Sequence, residues 1–547
     1  MKQITLWAFL ALIGFSTATQ AQPLTISDSA VQAITSARRF SAKIPDGKLY
    51  GEAIRADRLK WLIDTLASDA MQGRETGEDG QRIAADFIAR QFEEMGLPPV
   101  ADKKTYFQHF KLQRDSWTEL GMTVGEKNLK NRTDFYVYPT SNLANLKAEF
   151  KDAVFVGYGI QDNNYDDYAS ADVKGKVVLM YAGEPQLSNG NFLVSGTQFR
   201  SAWSLDWKKK VQVATRKGAS LVLIVDPEFE KNVRENRREL SSRGWRPAFS
   251  GEAGASNALA NNIFISEEVA NTLLDKKAGK VAEALAAQKN GEGFKAIRFK
   301  TKFEVQLDKK VQTLAGANVI GLIEGIDEAL KNEYVFITAH YDHLGKVEDV
   351  VYNGADDNAS GTSGVIEIAR AFAQAKKDGV GPKRSVVCML VSGEEKGLLG
   401  SEFYVDFPLF PLDKTVVDIN IDMIGRVDER HAGNPDYVYV IGSDRLSSEL
   451  HEINEYANSN YTKLELDYKF NDRNDPNRYY QRSDHYNFAE RGIPAIFYFN
   501  GTHADYHKAS DTADKIDAAA AAKRAQLAFY TAWDIANRAR RLVADRK

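Results

Sequence analysis

The chain has 547 residues, too many for one ordinary hydrophobic core, so roughly two to four domains are expected. Hydrophobic residues make up 43% and charged residues 27%, a globular balance, and the net charge of −4 lends no support to nucleic-acid binding, which needs a basic surplus. A lone cysteine, Cys388, excludes an internal disulfide and a zinc site built on thiolates.

The N-terminus, MKQITLWAFLALIGFSTATQA, opens with Lys2, runs apolar from Ile4 to Phe15 and ends in small and polar residues at Ala21. This is the pattern of a secretory signal peptide cleaved after Ala21, and the apolar run is too short to span a bilayer. The expected mature chain is soluble, has no membrane anchor and is exported to periplasm or medium.

Residues 51–97 predict helices. Leu59, Leu62, Ile63 and Leu66 recur at helical spacing, as do Ile83, Phe87, Ile88 and Phe92, and Gly96 is a natural stop. From 119 to 150 the chain is β-rich and irregular. Short β-rich runs follow: AVFVGYGI, KVVLMYAG and SLVLIVDP, with a helix predicted over WKKKVQVATRKGA. This block lacks any concentration of histidines and acids and ends near residue 300. It predicts a module concerned with shape or access rather than chemistry.

From about 316 the runs NVIGLIEG, YVFIT, SVVCMLV, VVDINI, YVYVI and AIFYF alternate with helical stretches. That alternation implies an α/β fold with a mostly parallel central sheet flanked by helices. Sites in such sheets lie beyond the carboxyl ends of the strands. There the sequence places His340, Asp342 and His343; Asp356 and Asp357; Glu394 and Glu395; Asp422; and His503, His507 and Asp511. Five of the eight histidines (340, 343, 485, 503 and 507) fall in or near these segments. Imidazoles with several carboxylates suit zinc, with manganese or cobalt possible, and so many acids in one pocket need more than one positive charge. Blander assignments exist for each residue alone: Asp356–Asp357 as a helix cap, or Asp422 as an acid paired with Arg426. There is no HExxH, GxSxG or P-loop motif to support a rival chemistry.

TAHYDHLG, NGADDNASG, SGEEKGLLGS, NIDMIG and DYHKASDTAD, in this order, resemble the co-catalytic zinc aminopeptidases and related M28-type peptidases. LASDAMQGRETGEDGQRIAADFIARQFEEMGL is similar to the family's N-terminal helices, and the 119–300 block resembles a protease-associated (PA) domain. The resemblance implies N-terminal helices over 22–118 belonging to the peptidase domain, an inserted β-rich PA-like domain over 119–300 and a catalytic domain over 301–547. It further implies two zinc ions, one held by His340, Asp357 and Asp422, the other by Asp357, Glu395 and His507. Asp342 would orient His340, Glu394 would act as general base on a metal-bridging water, and Tyr506 would stabilise the oxyanion. Peptides are the implied substrates, cleaved from the N-terminus. A carboxypeptidase or dipeptidase using Arg482 or Arg426, a glutaminyl cyclase, and a non-catalytic peptide binder with structural metals are the alternatives. Oligomeric state has no signature in the sequence.

Overall fold

The computed structural model describes residues 45–142, 145–162, 165–237, 240, 244–248, 259–292 and 294–546. The signal-peptide stretch 1–21 lies outside them. No helix among the described residues is long and apolar enough to cross a membrane.

Helices α1 (Ala56–Leu66) and α2 (Asp79–Glu94) open the described fold. Leu59, Leu62, Ile63 and Leu66 are buried as their spacing predicts, as are Phe87, Ile88 and Phe92, whereas Ile83 lies exposed at the edge of the stripe. The strands that follow in chain order are β1 (Phe107–Val124), β2 (Phe135–Tyr136), β3 (Leu146–Phe155), β4 (Val177–Tyr181), β5 (Leu221–Val225) and β6 (Asn262–Ile265). Then come β7 (Ile297–Ile323), β8 (Tyr334–His340), β9 (Ser385–Val391), β10 (Thr415–Ile421), β11 (Tyr437–Ile441), β12 (Glu465–Asp467) and β13 (Ala495–Phe499). Four further helices matter here: α3 (Trp207–Arg216), α4 (Glu267–Leu274), α5 (Gly361–Lys377) and α6 (Ala518–Asn537).

One sheet runs through the molecule in the order β12-β11-β13-β10-β8-β9-β7-β3-β4-β5-β6-β2, with β1 pairing β7. In the C-terminal lobe β9, β8, β10 and β13 are mutually parallel, while β11 runs antiparallel to β13 and β7 antiparallel to β9. Strands β9, β10, β11 and β13 are buried along their whole length, so both faces are covered. Phe372 of α5 packs with Phe529 and Trp533 of α6, and Phe336 of β8 packs on Tyr404 and Phe488.

The accessory lobe repeats the arrangement on a smaller scale. Strands β3, β4, β5 and β6 are parallel neighbours. Alternate residues feed two cores, Leu179, Leu223 and Ile265 on one side, Val178, Val222 and Ile224 on the other, as the two-residue period of a strand requires. The Asp206 side chain caps α3 and the Ser266 side chain caps α4. The expected boundaries at 119 and 300 fall inside β1 and β7. These two strands pair antiparallel from Phe107↔Val319 to Val124↔Phe303, with one register shift at Trp117/Glu119, and run unbroken between the lobes.

Candidate metal centre

His340 is the last residue of β8. Asp357 lies in the turn Ala355–Ser360 that leads into α5, and its peptide bond to Asn358 is cis. Glu394 and Glu395 follow β9, Asp422 directly follows β10, and His507 follows β13. Parallel strands present these ends at one edge of the sheet, so residues up to 167 positions apart meet there.

The carboxylate of Asp357 is shared. Its Oδ1 lies 3.4 Å from His340 Nε2, which is 3.2 Å from Asp422 Oδ1. Its Oδ2 lies 3.0 Å from His507 Nε2, which is 3.3 Å from Glu395 Oε2. Two donor sets therefore meet at one buried acid. His343 adds a third imidazole to the second set: its Nδ1 is 2.9 Å from Glu395 Oε1 and 3.9 Å from Asp357 Oδ2. His340, Asp357 and Asp422 form one group spaced to hold a metal ion, and His343, Asp357 and Glu395 form another. Glu394 stands between, its Oε2 3.9 Å from His340 Nε2.

The electrostatics suit a cation. Burial opposes charge on His340, but Asp422 and Glu394 outweigh it and hold its pKa well above the usual imidazole range. His507 is pushed up to about 10 against the cost of burial, by its bonds to Asp357 and Glu395. Asp357 is held well below the usual carboxylate range, burial notwithstanding, by His340 and His507. Burial raises Glu394, and Glu395 and Asp422 raise it further against the pull of His340. The acids around His340 and His507 thus favour positive charge in the cluster, which a divalent ion would supply. The buried His343 Nε2 makes no hydrogen bond. Nitrogen and carboxylate donors at these spacings fit zinc, whose bonds to them are about 2.0–2.2 Å.

A polar frame fixes the cluster. Asn358 donates to Ile421 O (3.1 Å) and accepts from Met423 N (3.1 Å) and Gly361 N (2.8 Å), tying the Asp357 turn to the end of β10. It is thus Asn358, not the two aspartates, that caps α5. Ser483 donates to Asp422 Oδ2 at 2.7 Å. Asp356 faces away from the donor sets, accepting from Gly425 N and Asn500 and lying 3.1 Å from His503 Nε2. Asp511 accepts from the backbone N–H groups of Asp356 and Asp357. His503 and Asp511 thus support the site, and His485 is buried against Phe497 away from it. The His340 Nδ1 contact goes to the backbone carbonyl of Asp342 at 3.1 Å, with the Asp342 carboxylate at 3.8 Å. That carboxylate instead accepts from Thr76 Oγ1 and Glu394 N.

Arg426 does not pair with Asp422. It donates to Asp505 at 2.9 Å. Arg482 reaches the site, donating to Tyr506 Oη at 3.2 Å and lying over the Tyr479 ring. Tyr506 stacks on His507 with centroids 3.9 Å apart, and burial raises its phenol pKa, so it stays protonated. A pocket opens beside the donors, lined among others by Met423, Phe497, Phe499, Tyr506 and Arg482. The sequence reading gave no role to His343, Ser483 or Thr76; the sole signal was the position of His343 beside Asp342.

The sequence model of peptidase family M28 matches residues 318–532. Aminopeptidase YwaD of Bacillus subtilis (strain 168) is 36% identical over 94 residues, 17% of this chain and 18% of that protein. Leucine aminopeptidase 2 of Trichophyton equinum is 28% identical over 273 residues, 48% of this chain and 50% of that protein. The chain thus spans half or less of the length of these relatives. Among solved structures, an aminopeptidase from Aneurinibacillus sp. strain AM-1 has 19% identity and a TM-score of 0.44, covering 92% of this chain and 98% of that one. The span that matches the family model, residues 318–532, carries both donor sets.

Proposed function

We propose that this protein is a zinc-dependent aminopeptidase that binds two metal ions and releases N-terminal residues from peptides. The observation that carries the reading is Asp357, whose two oxygens face separate donor sets while Glu394 enters the same space without belonging to either. His340, Asp357 and Asp422 would hold one ion; Asp357, Glu395 and His507 would hold the other, with His343 beside them. Bound divalent ions supply Lewis acidity to such a pocket. Glu394 takes a proton from the attacking water and returns it to the leaving amine. Its proton affinity, raised by burial and neighbouring acids, suits a base that must hold the proton between the two steps. Tyr506, protonated and fixed by Arg482, donates a hydrogen bond to the oxyanion. Met423, Phe497 and Phe499 offer an apolar wall to the side chain of the N-terminal residue.

Two donor sets favour hydrolysis over cyclase chemistry at a single metal, and a base outside both sets favours it over a purely structural role for the metals. Arg482 gives the carboxypeptidase reading its one support, since its guanidinium lines the pocket. The test uses one peptide, its N-acetylated twin and its C-amidated twin, with products followed by mass spectrometry. Stepwise loss from the N-terminus, stopped by acetylation and indifferent to amidation, is expected. Loss from the C-terminus, stopped by amidation, would transfer the role to Arg482 and overturn the aminopeptidase assignment. Export rests on residues 1–21; a mature N-terminus at Gln22 of secreted protein is the expected result of N-terminal sequencing. The accessory lobe is the PA-like insertion of this reading.

A further inference from the structure

We infer that Gly73–Thr76, which lies outside the family-matched span, clamps three of the five segments that carry the donor sets and Glu394, with Arg74 as the positioning residue that sets the separation of the His340 and Asp357 loops. The inference rests on the two-metal reading above. Arg74 is fully buried and donates four hydrogen bonds to backbone carbonyls: Nε to Tyr341 O (2.8 Å), Nη1 to Leu66 O (2.5 Å) and Asn353 O (2.8 Å), and Nη2 to Gly354 O (2.9 Å). Tyr341 sits between His340 and Asp342, and Gly354 immediately precedes the turn Ala355–Ser360 that holds Asp357. One rigid, planar cation therefore joins the loop of one histidine ligand to the loop of the shared carboxylate.

The neighbouring residues extend the grip. Gly73 O accepts from Gly345 N at 2.9 Å, and Arg74 O accepts from His343 N at 3.4 Å. A Cβ on Gly73 would lie 2.2 Å from Gly345 O and 2.6 Å from Tyr352 O, so only glycine permits this approach. Glu75 Oε1 meets Lys396 Nζ at 2.8 Å, beside Glu395. Thr76 Oγ1 donates to Asp342 Oδ2 at 2.8 Å and lies 2.8 Å from Ser392 Oγ, just before Gly393 and Glu394. Four consecutive residues thus touch all three loops that carry His340 and His343, Asp357, and Glu394 and Glu395. Arg74 holds φ at +54°, in a region that side-chain-bearing residues seldom occupy. Such backbone persists where the surroundings over-determine it. Burial lowers the guanidinium pKa to about 10, with Asp357 and Asp342 opposing, so it stays charged at neutral pH and faces the acids it helps to gather.

Lysine keeps the charge but not the planar fork, so Arg74→Lys separates the two contributions. The experiment titrates the full chain with Co²⁺, reading visible absorption and binding heats, for wild type, Arg74→Lys, Thr76→Val and Arg384→Lys. Arg384 is an equally buried arginine that donates to Ile535 O and Arg538 O, away from the site, and serves as the control for plain destabilisation. Arg74→Lys should weaken Co²⁺ binding about 10- to 100-fold, as loss of a partner behind metal ligands usually does, and shift the visible spectrum. Thr76→Val should do the same about tenfold, and it decides the matter if Arg74→Lys does not fold. Arg384→Lys should lower thermal stability with Co²⁺ affinity and spectrum unchanged. Wild-type affinity and spectrum in Arg74→Lys and Thr76→Val, or losses matched by Arg384→Lys, would overturn the clamp alone. A wild-type chain that takes up no Co²⁺ would overturn the metal reading and the clamp with it.

Discussion

The two lobes are built on the same device, parallel strands ending in polar residues, and use it differently. In the accessory lobe the strand-end groups find donors locally, although Glu184 Oε2 is buried without one. Glu184, after β4, accepts from Ser201 N and Ser204 Oγ. Asp226, after β5, accepts from Tyr136 Oη, Asn232 Nδ2 and Glu228 N, and Ser266, after β6, caps α4. In the C-terminal lobe the strand-end acids turn toward one another and toward imidazoles, and burial with the neighbouring acids raises the pKa of Glu394. Satisfied acids stabilise a fold; acids crowded without enough donors cost stability and make a site for cations.

The sharpest way to break this contrast is to neutralise one acid in each lobe. Glu394→Gln should lower kcat by about 10²–10⁴-fold with Co²⁺ content unchanged, whereas Glu184→Gln should leave kcat within about twofold. Equal effects, or a loss of metal in Glu394→Gln, would show that the base assignment is wrong. Next comes Tyr506→Phe, which removes an oxyanion donor without touching a donor set and should cost about 10² in kcat with little change in KM. A change confined to KM would place Tyr506 in substrate binding alone. Asp226→Ala probes the other lobe: it strands the Tyr136 hydroxyl and should cost about 1–3 kcal/mol in urea unfolding, with kinetics and Co²⁺ binding untouched.

The smallest effect concerns acid. His485, buried against Phe497 and Tyr480, has its pKa lowered by burial to about 3. Its neutral form folds, so its contribution is whole above the unfolded value of about 6.5 and is lost as pH falls toward the folded value, at most ~1.4 kcal/mol per pH unit. His485→Gln should flatten the fall in unfolding free energy between about pH 6.5 and pH 5. An unchanged slope would assign the acid lability to other groups.

Much of the C-terminal lobe was legible because its strands are apolar runs with acids and histidines at or shortly after their ends: His340 after YVFIT, Asp422 after VVDINI, Glu394 and Glu395 after SVVCMLV. His343 stands among the strand-end candidates in the sequence, but spacing cannot say which of two neighbouring imidazoles faces which donor set. The boundaries at 119 and 300 were drawn where composition shifts, but β1 and β7 are long ladders whose pairing is indifferent to that shift. Arg82 and Arg74 look alike in the sequence, yet the first is exposed and paired with Asp79 while the second is buried under the Tyr341 and Gly354 loops.

What the sequence determined by itself was local: the apolar periods that make strands and helices, and the acids and histidines attached to their ends. The tertiary structure alone decided how those ends share space, because parallel pairing brings Asp357 between His340 and His507 and lets Arg74 reach carbonyls up to 280 residues away. Periodicity is a property of neighbours along the chain, whereas the sharing of one carboxylate and the burial of one guanidinium are properties of neighbours in space.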